Sequence, residues 1–252
     1  MRNLFEMKVN SVKLLAASLI LMTAVSVNSQ TLSGESNSIG ITVTPYVSYV
    51  SSATIQIDPF SSSSFERQLT SELSGGYGYG ISITKRIFSQ DIAFGISIEY
   101  AKIKDEELTE IYDNGTARIR ARIKEELTVI PVEFSGYFDL PDFTDDLNIY
   151  LGGGIGVYFG DRKRTIINIE TTTLSKEPGF GFVVMSGMGY RFSEILSGVF
   201  ELRFRQGEYR VKSQFATSFI TAGGNTFEID QVTDSKIFLD GLKVSFGLSV
   251  RF

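Results

Sequence analysis

The chain has no cysteine, no tryptophan and no histidine in its 252 residues. Without cysteine there is no disulfide framework, no thiolate metal site and no cysteine nucleophile. Without histidine, neither a Ser-His-acid triad nor a histidine metal site can be assembled. A Ser-Lys or carboxylate-only mechanism is formally open, but no spacing supports one, so no enzyme is expected and no catalytic, cofactor or metal residue is assigned. An excess of positive charge is also missing: 24 Lys and Arg stand against 29 Asp and Glu, a net charge of −5, which gives no support to a nucleic-acid partner. Finally, there is no apolar run of the ~20 residues that a membrane-spanning helix needs. The longest, Leu14 to Val27, falls short of that.

That short run has another reading. Arg2, Lys8 and Lys13 precede it, and Val27 and Ser29 occupy the −3 and −1 positions of a cut before Gln30. This is the pattern of an export signal, which predicts a signal peptide over 1–29 and a mature domain over 30–252.

What the chain has in abundance is 24 glycines, 20 phenylalanines and 11 tyrosines, and from about residue 38 they fall into strict alternation. Ile41, Val43, Val47 and Tyr49 interleave with Thr42, Thr44, Tyr46 and Ser48; Ile92, Phe94, Ile96 and Ile98 with Ala93, Gly95, Ser97 and Glu99. The same period of two recurs around 77–83, 127–138, 149–159, 180–192, 200–204 and 242–252, which predicts eight strands. Mean hydropathy is near zero, at +0.06, as expected where each strand turns one apolar face to lipid and one polar face to a lumen. Glycine weakens strands in general, yet here it lies almost wholly on the polar parity. An eight-stranded barrel has an interior just wide enough for side chains, so small inward residues make room for a few large ones. Those are Tyr150, Tyr158 and a predicted lumen charge network of Glu99, Glu133, Arg191, Glu201, Arg203, Arg205, Lys243 and Arg251. Such charges survive burial only when paired, so the network is expected to plug the barrel.

Connections alternate between short (88–91, 139–146, 193–197) and long and polar (51–73, 102–126, 161–178, 206–237). This predicts both termini on the short-turn side; ten strands is the alternative, should the long loops pair. Within 102–126, Asp113-Asn114-Gly115-Thr116 predicts a two-residue type I′ turn. Its register would oppose Glu107 to Arg122, Asp105 to Lys124, Lys104 to Glu125 and Tyr100 to Val129. Below that, Val132 and Phe134 switch to the apolar parity, which predicts a β-bulge at Ile130–Pro131. A second projecting hairpin is expected at Ala222-Gly223-Gly224-Asn225.

The C-terminal Ser245-x-Gly247-x-x-Val250-x-Phe252 resembles the signal by which outer-membrane barrels are recognised for insertion, with Val250 where an aromatic is preferred. Ile130-Pro131 followed by Val132, Phe134 and Phe138, then Ile149-Tyr150-Leu151-Gly152-Gly153-Gly154 and Phe200-Glu201-Leu202-Arg203-Phe204, resembles the small OmpA/OmpX-type and OmpW-type barrels. The resemblance implies an all-β, eight-stranded antiparallel transmembrane barrel of the bacterial outer membrane, with short periplasmic turns and long extracellular hairpins. Its implied partners are outer-membrane lipid, the barrel-insertion machinery during biogenesis, and extracellular or envelope proteins meeting the hairpins; no cofactor is implied. Three functions are compatible. One is a structural or interaction protein with a plugged lumen, serving envelope integrity, adhesion or surface display. The others are a narrow conduit for small or hydrophobic solutes, and an accessory in assembly or secretion of envelope proteins.

Overall fold

The computed structural model describes residues 40–64, 66–87, 91–141, 144 and 146–252. The expected signal peptide and the first residues of the first predicted strand lie outside them. The described chain is nearly all strand: β1 (Ile41–Gln56), β2 (Thr70–Arg86), β3 (Ile92–Asp113), β4 (Arg118–Asp139), β5 (Leu147–Ile166), β6 (Ile169–Glu177), β7 (Gly179–Arg191), β8 (Leu196–Phe215), β9 (Phe219–Ala222), β10 (Asn225–Glu228), β11 (Val232–Phe238) and β12 (Gly241–Arg251).

Antiparallel pairing runs β1–β2–β3–β4–β5–β7–β8–β12 and closes back onto β1. Both β6 and β7 lie between β5 and β8. They form one run interrupted at Pro178, which has no N–H to give to a ladder. Likewise β11 and β12 both lie between β8 and β1, interrupted at Leu239–Asp240. Among the described residues the ring is therefore one of eight, not ten, and closure leaves the lower part of that ring no free edge.

A transmembrane β-strand needs about 9–11 residues, yet β3 and β4 have 22 each. The lower half of the barrel carries the lipid surface. Tyr77, Phe180, Phe182, Val184, Val47, Ile155 and Phe246 each expose more than half of their surface, an apolar band far beyond what a water-soluble protein leaves uncovered. Aromatic pairs such as Tyr49–Tyr77, at 5.2 Å between ring centres, and Tyr190–Phe192, at 5.6 Å, flank it, as the aromatic girdles of membrane barrels do. The upper half is no set of loops: the intervals read as long polar loops are largely continuations of the same strands.

The β3–β4 hairpin corrects several expectations. Asp113 pairs with Arg118, not Thr116, and only Gly115 has positive φ (81°), so the turn is not type I′. The Asn114 side chain holds it instead, its Oδ1 accepting from the N–H groups of Thr116 (3.0 Å) and Ala117 (2.7 Å). Ala101, not Tyr100, faces Val129, and register is unchanged across Pro131, so no bulge lies there. The bulge falls between Asp105 and Leu108. It reverses the inward parity of β3, from Ile103 below it to Glu110 above. None of the three predicted ion pairs forms; Lys102 and Lys104 share Glu126, and Lys124 meets Glu106. The hairpin at Ala222–Asn225 does form, with Gly223 and Gly224 at φ 57° and 78° as a type I′ turn requires. It does not project freely. Ile220, Phe227 and Ile229 are buried against Ala121, Ile123, Ile166 and Phe215, and Asn114 Nδ2 donates to Thr226 O (3.0 Å).

Candidate functional site

The candidate site is the interior of the barrel, where inward side chains form layers in the same order along every strand that reaches them. Closest to the short turns is a cavity of about 360 Å³ lined chiefly by hydroxyls and by charged side chains of both signs, including Thr44, Tyr46, Ser82, Tyr137, Asp139 and Arg251, with Glu201 and Arg203 among its lining.

Next comes a layer of buried charge. Six side chains form one chain of alternating sign, Lys243–Glu99–Arg205–Glu133–Arg203–Glu201. Lys243 Nζ lies 2.6 Å from Glu99, Arg205 2.7 Å from both Glu99 and Glu133, and Arg203 2.8 Å from Glu201 and in contact with Glu133. Three cations meet three anions, so the layer is neutral. Arg203 and Arg205 stand on β8 and their partners Glu133 and Glu99 on β4 and β3, across the ring, so the links span the lumen. Hydroxyls occupy the remaining acceptors: Ser48 Oγ donates to Glu99 (3.0 Å), Tyr150 to Glu201 (3.0 Å) and Tyr158 to Glu133 (3.3 Å). Lys243 also sits 4.4 Å from the centre of the Tyr46 ring. A buried ion pair is favourable only with such complete satisfaction. Small residues make the space. A Cβ on Gly207 would come within 2.5 Å of the Tyr158 ring, and one on Gly181 within 2.8 Å.

Above the charges lies an apolar layer of Val50, Ile55, Leu73, Ile103, Leu127, Val129, Tyr209, Val211 and Ile237. A second charged layer stands over it. Arg162, wholly buried, holds Glu125 bidentately through Nε (3.0 Å) and Nη2 (2.7 Å) and donates from Nη1 to Ser235 Oγ (2.5 Å). Ser235 in turn donates to Ile57 O (2.8 Å), tying β5, β4, β11 and the end of β1 together. Arg164 meets Glu125 at 3.2 Å and contacts Glu110, which the β3 bulge has turned inward. Burial works to raise the Glu110 carboxyl, but the Arg164 guanidinium and a hydrogen bond from Tyr112 outweigh it and hold it below the usual carboxylate range. The apolar cluster under the β9–β10 hairpin closes the top.

Of the predicted lumen network, the structure brings together Glu99, Glu133, Glu201, Arg203, Arg205 and Lys243. It leaves out Arg191 and Arg251, which line the open cavity and make no ion pair among the described residues. Sequence reasoning missed Glu125, Arg162 and Arg164. The signal was present: each continues the inward parity of its strand, four residues beyond Val129 and Tyr158 in turn for Glu125 and Arg162. Ser245 and Gly247 face inward on β12, and Phe252 N donates to Ile41 O (2.9 Å) at the seam where the barrel closes.

No known protein family and no curated protein matches the chain. Solved structures do. The outer membrane protein OprG of Pseudomonas aeruginosa aligns with 85% of this chain and 97% of its own, at 10% identity and a TM-score of 0.53. Neisserial surface protein A aligns over 84% and 97% at 17% identity and a TM-score of 0.42. The outer membrane protease OmpT of Escherichia coli aligns over 88% and 99% at 8% identity and 0.48. The likeness to OprG establishes the fold, that of an outer-membrane β-barrel.

Proposed function

We propose that this outer-membrane β-barrel is a structural and interaction protein: a closed, internally filled barrel that holds a rigid extension above the bilayer and presents it at the cell surface. Residues 1–29 direct export and are removed, Ser245, Gly247, Val250 and Phe252 mark the last strand for insertion, and the short turns face the periplasm. One observation supports the closed reading above all: a neutral chain of six charges crosses the lumen, with a buried, mainly apolar layer directly above it. An ion or solute entering from the periplasmic cavity would have to separate buried pairs and then cross that layer, whose side chains offer no polar group but the Tyr209 hydroxyl. The conduit reading gains nothing from Tyr150 and Tyr158, whose hydroxyls are committed to Glu201 and Glu133. An enzymatic role is disfavoured by a sequence without histidine or cysteine. Purified protein in planar lipid bilayers is expected to show no steady conductance; well-resolved, reproducible channel steps would refute the closed barrel.

A further inference from the structure

Most cations nearest the apolar band are neutralised by the protein itself: Lys102 and Lys104 by Glu126, Lys163 by Glu170, Lys176 by Asp161, Lys236 by Glu208, and Arg210 by Glu177 and Asp234. Higher on β4 the pattern changes in part: Arg118 is paired with Asp113 (2.9 Å) and Lys124 with Glu106 (3.5 Å), but the two cations between them are not. Arg118, Arg120, Arg122 and Lys124 occupy alternate positions and are all exposed, while the intervening Ile119 is half-buried and Ala121 and Ile123 are buried. Arg120 and Arg122 make no ion pair among the described residues. Their cross-strand partners on β3 are Ile111 and Thr109, neither of which carries charge. From Arg118 to Ala121 the backbone of this strand also makes no ladder pair with β5, whose pairing begins at Ile123, with Arg122 O accepting from Ile167 N (3.5 Å) just beyond it. In a chain of net charge −5, a straight cationic row well above the membrane is conspicuous.

We propose that this outward face of β4 binds a linear acidic polysaccharide. Successive cations on one face of a strand are about 6.6–6.8 Å apart, so the four make a line about 20 Å long, with unpaired Arg120 and Arg122 at its centre and Arg118 and Lys124 at its ends in exposed pairs that are worth little and can be exchanged. That line suits a polymer with repeated charges better than a single anion. Arginine fills three of the four places, and its planar fork grips sulfate, phosphate or carboxylate oxygens through two parallel bonds. Lipid headgroups are the weaker match, because most cations at their level already have protein carboxylates, whereas the two at the centre of this row have none. Exposed charge also guards an open strand edge against pairing with other chains, but either sign does that, so reversing the sign separates the two roles.

The proposal rests on the outer hairpins being an interaction surface, and its test is independent of conductance. Full-length protein in detergent micelles is titrated with dextran sulfate, neutral dextran and polyglutamate. Dextran sulfate should bind, and neutral dextran should not. Binding should vanish near 1 M salt, where the screening length is about 3 Å. R120E/R122E should weaken binding at least tenfold with folding unchanged, and R120Q/R122Q by less. K212E, an exposed reversal on β8, should leave it unaltered. Unchanged binding in R120E/R122E, an equal loss in K212E, or polyglutamate binding as tightly as dextran sulfate would each overturn the assignment.

Discussion

Arg205→Ala removes the middle of the six-charge chain, and the order of that chain dictates the consequences. Arg205 is 3% exposed and bridges Glu99 and Glu133. Without it, Lys243–Glu99 remains a balanced pair, but Glu133–Arg203–Glu201 is left with two anions and one cation. Removing one partner of a buried pair typically costs about 3–5 kcal/mol, because the other charge stays buried and uncompensated. Neutralising Glu133 should then restore balance, leaving Lys243–Glu99 and Arg203–Glu201 as two intact pairs. Neutralising Glu99 also returns the layer to zero net charge, but it strands Lys243 without its partner and leaves Glu133 and Glu201 to share Arg203. The assay is urea unfolding in lipid vesicles monitored by circular dichroism, with Arg205→Ala alone and combined with Glu133→Gln or Glu99→Gln. Arg205→Ala is expected to lose about 3–5 kcal/mol, Arg205→Ala/Glu133→Gln to recover at least half of it, and Arg205→Ala/Glu99→Gln to recover none. A single-variant loss below about 1 kcal/mol, typical of exposed pairs, would refute the buried chain. Equal rescue by both neutralisations would refute its order. Arg205→Ala should stay silent in planar bilayers, because the apolar layer above it is untouched.

Glu110, whose carboxyl Arg164 holds below its ordinary range, should contribute stability that is complete above the ordinary Glu pKa of ~4.3 and lost as pH falls through its lower folded value. Unfolding of wild type against Glu110→Gln between pH 6 and pH 3 should therefore converge at the acid end; a constant difference would count against the Arg164 pairing. Ile167, at the turn between β5 and β6, has φ 58°, a conformation costing a β-branched residue about 1–2 kcal/mol. Ile167→Gly gives back ~0.4–1 kcal/mol in unfolded-chain entropy, so it should still raise stability by roughly 0.5–1 kcal/mol, and a loss on unfolding would contradict the strained turn. Cysteines at Val184, 63% exposed, and Met185, 3% exposed, should react very differently with a lipid-phase label; equal labelling would mean the strand faces are wrongly assigned.

How much of the structure was legible in the sequence divides along the height of the barrel. Within the bilayer, alternation reveals strands, faces and six of the eight lumen charges, because lipid and lumen impose opposite demands on adjacent residues. Arg191 and Arg251 share the inward parity of their neighbours, yet the lumen is open where they stand, so parity alone could not separate plug from cavity wall. The Asn114 turn was misread because the Asn-Gly pair is equally suited to a turn held by the asparagine side chain.

The misplaced bulge at Ile130–Pro131 shows why the upper half was harder. Along β4 the apolar residues switch from even positions (Val132, Phe134, Phe138) to odd ones (Leu127, Val129), and in a soluble sheet such a switch means a slipped register. Here the strand does not slip: odd positions face inward throughout, with Glu133, Val129 and Glu125 all buried. What changes is the medium outside. In lipid the outward face must be apolar and the inward face can be polar. Once the strand leaves the bilayer, water meets the outward face and the interior must supply the hydrophobic core. β3 makes the same exchange, from outward Ile98 to buried Ile103 with exposed Lys104 beside it. A parity switch shared by paired strands at one height therefore marks the membrane surface rather than a bulge. A true bulge, as at Asp105–Leu108, shifts register on one strand only. By this criterion the switch places the outer bilayer boundary near Tyr100 and Ile130. It also identifies Glu125, Arg162 and Arg164 as interior residues of a barrel that continues as a water-soluble fold.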